Sequence, residues 1–333
     1  MGRSEAAQAE GCHNDSGASV MVCGEAVMDL VPGPDSQGRN GATYRALPGG
    51  SPANTAVALA RLGVPTYFCG RLSSDALGDR LYSHLEANGV RMRFVLRRPE
   101  PSTLAMVDLQ RDGSANYSLY VQGTSDFQWT SQELPNDLPA EISVLHVGSL
   151  ALALAPGSAA IEALMAAAAK KRVVSLDPNV RPALIGDLSR FRANLERWVD
   201  MAHLVKVSLD DLEALYWDQD PLQIARRWAD RVPLVVVTLG DKGALALHLG
   251  QEIGVPANPT PVADTVGAGD TFSAALIEGL VAHASPLSPG LEGLGPEVVA
   301  QAMEGAARAA AITCSRPGAD PPWRAELLPG AGR

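Results

Sequence analysis

Apolar residues along the chain recur at two spacings. Compact apolar runs bounded by Gly, Pro, Asn or Asp alternate with stretches in which an apolar residue returns every three or four positions. The runs at 66–70, 144–148, 173–176, 204–207 and 234–239 predict buried strands, and most of the chain between them predicts amphipathic helices. A further run at 20–27, broken by Gly24, predicts a first strand ending near Met28 and Asp29. Ala53, Val57, Ala60 and Leu62 keep helical spacing until Gly63, and residues 75–88 predict a helix closed by the Asn88-Gly89 signal. Residues 93–96, 103–110 and 115–120 are instead β-rich and partly alternating, with Asp112-Gly113 marking a hairpin. Such an antiparallel cluster inside an alternating chain predicts a small inserted sheet that covers a pocket. The remaining rhythm is that of βαβ units, so the expected class is α/β, a parallel sheet with helices on both faces.

Composition narrows the function classes. The 333 residues suffice for one large domain or two ordinary ones, and 46% hydrophobic with 19% charged residues describes a globular chain. The formal net charge of -10 argues against a nucleic-acid or acidic-membrane surface. Cys12, Cys23, Cys69 and Cys314 are scattered without a zinc-like spacing, which predicts reduced thiols in a cytoplasmic protein. The Ala- and Leu-rich run at 150–169 is interrupted by Pro156, Gly157, Ser158 and Glu162, so it predicts a turn and a surface helix rather than a membrane span. Residues 1–19 have no apolar core of a secretory signal and predict a disordered tail.

Candidate chemistry gathers at the ends of the predicted strands. In Asp264-Thr265-Val266-Gly267-Ala268-Gly269-Asp270-Thr271-Phe272, a glycine loop feeds a helix whose apolar positions are Phe272, Ala275, Leu276 and Leu280. Free amides at a helix N-terminus attract anions, whereas Asp270 would repel a resting phosphate unless it takes a proton from a hydroxyl attacking that phosphate. Read alone, Asp270 equally suits a first-turn residue favoured by the helix dipole. Gly49-Gly50-Ser51-Pro52-Ala53-Asn54 sets a double glycine and an amide side chain at another helix start, suited either to a sugar's hydroxyls or to an ordinary turn. Three strands release Asp177-Pro178-Asn179-Val180-Arg181, Ser208-Leu209-Asp210-Asp211 and Thr238-Leu239-Gly240-Asp241-Lys242-Gly243, as a ligand crevice at one rim requires.

These motifs, in this order, resemble those of the PfkB (ribokinase-like) carbohydrate kinases, from residue 20 to about 328, and the tail Ile312-Thr313-Cys314-Ser315-Arg316-Pro317-Gly318-Ala319 is similar as well. The resemblance implies a ribokinase-like, Rossmann-type αβα sandwich over 20–330, with a small β-sheet lid inserted at about 28–47 and 93–122. It implies ATP and Mg²⁺, with K⁺ as a further cofactor. Asp270 would be the base that deprotonates a sugar hydroxyl, with Gly267, Ala268 and Gly269 as the anion hole. Asp29, Gly49, Gly50, Asn54, Asn179 and Arg181 would hold the sugar. Lys206, Ser208, Thr238, Gly240, Lys242 and Gly243, with Gly267 and Gly269, would line the nucleotide. Asp264, Val266 and Gly318 would frame the monovalent cation, and Asp211 would reach Mg²⁺ through water. The chain departs from the family at Ser208-x-x-Asp211, where many members carry Asn-x-x-Glu, and the shorter acid changes that reach.

Within the family the motifs look most like bacterial fructokinases, which implies fructose as acceptor, with 2-keto-3-deoxygluconate as the alternative. Arg111, Tyr117 and Tyr120 are lid residues that would bear on that choice. Partners are then a small sugar and ATP, with no nucleic acid and no membrane, in a lid-mediated homodimer. Among rival classes, a dehydrogenase needs G-x-G-x-x-G after an early strand and a P-loop NTPase needs G-x-x-x-x-G-K-[ST]; neither string occurs. A non-catalytic sugar-binding regulator would lose the base or the anion-hole glycines, and both are present.

Overall fold

The computed structural model describes residues 18–33, 42–109, 115–182, 184–284, 287–291 and 293–328. Its strands are, in chain order, Ser19–Cys23 (β1), Val27–Pro32 (β2), Tyr44–Gly49 (β3), Thr66–Ser73 (β4), Arg91–Arg98 (β5), Leu104–Leu109 (β6), Ala115–Tyr120 (β7), Ile142–Gly148 (β8), Val173–Asp177 (β9), Leu204–Ser208 (β10), Leu234–Thr238 (β11), Ala244–His248 (β12) and Gln251–Val255 (β13). Among the described residues they form a nine-stranded sheet, in the order β13-β12-β11-β10-β9-β8-β1-β4-β5, and a four-stranded sheet in the order β3-β2-β6-β7. The helices are Ser51–Arg61 (α1), Ala76–Ala87 (α2), Ser149–Ala153 (α3), Ser158–Ala168 (α4), Leu188–Met201 (α5), Leu209–Leu215 (α6), Pro221–Ala229 (α7), Ala268–His283 (α8) and Pro296–Cys314 (α9).

The large sheet is buried on both faces, which is why its inner strands read as unbroken apolar runs rather than alternating ones. Leu59 of α1, Leu85 of α2, Leu276 of α8 and Met303 of α9 share one core with Phe68. On the opposite face Ile161 of α4, Trp198 of α5, Leu212 of α6 and Trp228 of α7 pack with Leu145 and Val235. The result is the αβα sandwich expected from the sequence. Helix α2 keeps its predicted limits because Asp75 caps it, accepting hydrogen bonds from the amides of Leu77 and Gly78.

The structure corrects several expectations. The predicted first strand over 20–27 is two strands in different sheets: β1 ends at Cys23, and after Gly24-Glu25-Ala26 the chain enters the small sheet as β2. Asp29 therefore stands on the lid, not at the end of a main-sheet strand. Pro52 of α1 packs so closely on Gly24 that a Cβ there would lie 2.3 Å from Pro52 Cγ. Residues 93–96 do not belong to the lid either. They lie within β5, which pairs parallel with β4 at the edge of the main sheet. The lid is mixed rather than antiparallel, since β2 pairs with β6 in parallel. The tail expected over 1–19 lies outside the described residues apart from Ala18 and Ser19, and Arg111 lies outside them as well; Ser19 opens β1. No described helix is long and apolar enough to cross a membrane.

Candidate active site

Helix α8 starts where the sequence places its glycine loop. Gly267 takes φ 77, a left-handed conformation, and a Cβ on it would meet Ala319 Cβ at 2.6 Å. The chain thereby turns sharply into α8: the Ala268 amide donates back to the Thr265 carbonyl at 3.3 Å, the helical bonds begin with the Thr271 amide on the Gly267 carbonyl, and the Gly269 and Asp270 amides lie ahead of that first intrahelical bond. Asp270, in that first turn, is buried, with 8% of its surface exposed. Its carboxylate accepts hydrogen bonds from Ser51 Oγ at 2.6 Å and from Asn54 Nδ2 at 2.9 Å. Both donors lie in the first turn of α1, directly after the double glycine, so two glycine-led helix starts converge on one carboxylate. Burial pushes the Asp270 pKa up, the Ser51 and Asn54 hydrogen bonds hold it down, and the nearby charges of Asp177 and Lys206 act in opposite directions.

Asp29 approaches from the lid. Burial first, and then the charge of Asp270, push its pKa up to about 6. Gly49, which pairs with Val27 across the β2–β3 pair, has no room for a side chain: a Cβ there would lie 2.3 Å from Asp29 Oδ2. The lid and the body thus present two carboxylates to the same space.

Beneath Asp270 lies a buried ion pair. Lys206 Nζ, in the middle of β10, is 2.9 Å from Asp177 Oδ2, at the end of β9, with side-chain exposures of 7% and 3%. Ser273 Oγ donates to the same oxygen at 3.0 Å, and the Asn179 amide donates to Asp177 Oδ1 at 3.2 Å. Asn179 itself takes φ 39. Lys206 also abuts the glycine loop, since a Cβ on Gly269 would sit 3.0 Å from its Nζ. Asp211 accepts from the Val180 amide at 2.9 Å and from the Ser208 amide at 3.3 Å, while Ser208 Oγ accepts from the Asp211 amide at 3.0 Å. That reciprocal capping box, which starts α6, places Asp211 beside the loop after β9.

The other expected residues stand further out. Arg181 is exposed, and its guanidinium donates to the carbonyls of Asn179 and Val180. Thr238 ends β11, and Gly240–Lys242 forms an exposed 3-10 turn closed by Gly243. Asp264 straps two loops together, accepting from the amides of Val266 at 3.1 Å and Gly318 at 2.8 Å. Between the segment leading to Asp264 and α9 runs a groove of about 280 Å³, lined by Asn258, Pro259, Thr260, Arg308 and Ile312. Three contributors were not assigned from sequence. Ser51 sits inside a recognised motif, Asp177 opens another, and Ser273 is signalled only by standing three residues after Asp270, on the same helical face.

Comparison with known proteins points to one family. Residues 18–326 match the family described as pfkB family carbohydrate kinase. A fructokinase of Rhizobium leguminosarum bv. trifolii is 37% identical over 262 residues, covering 78% of this chain and 79% of the relative. The crystal structure of a Xylella fastidiosa fructokinase with bound ATP superposes with a TM-score of 0.85 at 25% identity, covering 93% of this chain and 97% of that one. A Vibrio cholerae O395 fructokinase structure with fructose, ADP and calcium ion bound gives 0.79 at 29% identity, covering 91% and 94%.

Proposed function

From the premise that the chain belongs to the pfkB family of carbohydrate kinases, we propose that it moves the γ-phosphoryl of ATP to the 6-hydroxyl of fructose. The observation that carries this reading is the grip of Ser51 and Asn54 on Asp270 at the opening of α8. A carboxylate so oriented, in the first turn of a helix, is equipped to accept a hydroxyl proton while the positive helix N-terminus takes up phosphoryl charge. The new bond joins the sugar oxygen to phosphorus, the bond from phosphorus to the oxygen of departing ADP breaks, and the proton passes to Asp270. Asp29, Gly49, Gly50, Asn54 and Asn179 orient the sugar, with Arg181 at the rim. Ala268, Gly267 and Gly269 receive the phosphoryl. Lys206, Thr238, Gly240, Lys242 and Gly243 line the nucleotide, and the groove beside Arg308 takes its adenine. Ser208 acts there through its capping box with Asp211.

The residues also suit the cations. Mg²⁺ keeps much of its water and needs few carboxylates, and each Asp211 oxygen, though it accepts one amide, retains a lone pair for such a water. Bound there, the ion neutralises phosphate charge. Asp264 ties the Val266 loop to Gly318, which frames a site for K⁺ next to the helix start. We place the enzyme in the cytoplasm as a homodimer, a reading supported by the free thiols of Cys23, Cys69 and Cys314 and by the exposed Tyr44 and Tyr120 on the lid's outer strands. Sedimentation analysis tests the dimer.

The decisive test is ADP release from MgATP and K⁺ with a panel of fructose, ribose, 2-keto-3-deoxygluconate, glucose and adenosine, against a blank without sugar. Turnover on fructose well above the others is expected. Turnover on the keto acid would keep the mechanism and replace the substrate, and tight sugar binding without turnover would reveal a regulator.

A further inference from the structure

Asp177 occupies a position at the junction of three elements that the proposed reaction leaves unassigned. It ends β9, and the parallel register of Leu204 with Ser175 and Val205 with Leu176 brings Lys206 of β10 level with it. One of its oxygens, Oδ2, accepts from both Lys206 Nζ and Ser273 Oγ; the other, Oδ1, accepts from the Asn179 amide. Ser273 lies on α8 one turn beyond Asp270. The carboxylate therefore touches the strand that carries Lys206, the helix that carries Asp270 and the loop that carries Asn179.

Burying two charges costs several kcal/mol per ion, and well-packed apolar residues usually serve stability as well or better. A pair kept buried at the head of α8 thus calls for a reason other than stability. The location supplies one. Lys206 Nζ is held against Gly269, in the first turn of α8, so its charge adds to the positive end of the helix dipole at the point where phosphoryl charge develops. Unheld, the four-carbon Lys206 chain would swing towards water, as a lysine tends to do.

We infer that Asp177 is the positioning residue of the phosphoryl-transfer site: it anchors Lys206 beside Gly269 and, through Ser273, fixes the register of α8 so that Asp270 and the cation face the same reacting group. The inference rests on the kinase reading above.

The test compares Asp177→Asn, Lys206→Met and Ser273→Ala with wild type in kcat, in KM for sugar and for ATP, and in the pH profile of kcat/KM. Asp270 is faced by Asp29 from β2, Asp177 from β9, Lys206 from β10 and the neutral Ser51 and Asn54 from α1. Loss of the Asp177 charge removes an influence that raises the Asp270 pKa, and loss of the Lys206 charge removes one that lowers it. The acid limb should therefore move to higher pH in Lys206→Met, while in Asp177→Asn, which also frees Lys206, the two lost influences oppose each other and the limb should move less. Both variants should lose about 10- to 100-fold in kcat, the range for a buried hydrogen bond to a charged group, with sugar KM changed far less. Ser273→Ala, which keeps both charges, should fold as wild type, lose several-fold in kcat and keep the acid limb in place.

An unmoved acid limb in Lys206→Met, an Asp177→Asn enzyme with wild-type kcat, or activity lost only in step with thermal stability, would overturn the inference. So would a Ser273→Ala enzyme with wild-type kcat. Wild-type protein that turns over no sugar at all would instead defeat the kinase reading itself, which separates the two failures.

Discussion

Two buried acidic clusters flank the cleft, and they are built differently. At the rim of the sheet Asp270 and Asp177 are met by side-chain donors and by a buried cation, Lys206. At the root of the lid Glu25 and Asp126 are met by main-chain amides and hydroxyls. Asp126, in the 3-10 turn Ser125–Phe127 just after the lid, accepts from the Ala26 amide at 2.9 Å and from Thr103 Oγ1 at 2.6 Å. It thereby ties together three of the four described crossings of the chain between body and lid, all but the one from β3 to α1. Glu25 reaches the other way and accepts from the Ala151 amide at 3.0 Å. Burial raises both pKa values, to about 7 for Glu25 and about 6 for Asp126. Acids around a cation set a charge in place; acids around amides fasten backbone. On the proposed function the first arrangement serves chemistry, and the second fastens the lid to the body, so substitutions in the two clusters should fail in different currencies, rate in one and stability or sugar affinity in the other.

The sharpest break is at Asp270. Asp270→Ala should lower kcat by about 10²- to 10⁴-fold, the usual worth of a positioned base, while calorimetry still detects sugar and nucleotide binding. Loss of binding in a folded Asp270→Ala protein would assign Asp270 to affinity and erase the contrast. Gly49→Ala comes next. The added methyl would stand 2.3 Å from Asp29 Oδ2, so Asp29 must move. Displacing a hydrogen bond from a charged group is worth about tenfold or more, expected here in the KM for sugar with kcat changed little. An unchanged sugar KM would place Asp29 outside the sugar site.

How much of this was legible in the sequence differs between the same two regions. The rim was readable because its strands are buried on both faces, and the polar groups that end them stand out against runs such as Leu234–Thr238. The motifs around Asp270, Asn54, Asn179 and Asp211 are continuous in sequence and come together in space. The hinge was not readable. Its members, Glu25, Thr103 and Asp126, are far apart in the chain, and each looks like a turn residue until the lid folds. The passage from β1 to β2 lay hidden within one apolar run, because a change of sheet leaves no mark on hydrophobicity. The hairpin of β12 and β13 escaped for a local reason: its tip is Leu249-Gly250, with φ 52 and 72, where the recognisable signal is Asn-Gly or Asp-Gly. Ser273 could be valued only once Asp177 was seen beneath it.

The effect expected on stability separates the clusters most cleanly, because it reads protons rather than rates. Glu25 has a folded pKa of about 7 against an ordinary value of 4.5, raised chiefly by burial and further by Asp126, so the native state holds its proton where the unfolded chain has released it. A raised carboxylate contributes stability that is full below the unfolded pKa and is lost as pH climbs to the folded one. Between pH 4.5 and 7 this group alone should cost about 1.4 kcal/mol of stability per pH unit. Glu25→Gln keeps an oxygen for the Ala151 amide and mimics the protonated acid at every pH. Urea midpoints should therefore favour the variant over wild type progressively from pH 5 to pH 8, with kcat changed little at neutral pH. If the two proteins keep a constant difference in midpoint across that range, Glu25 is ionised when folded, and the hinge needs its charge after all.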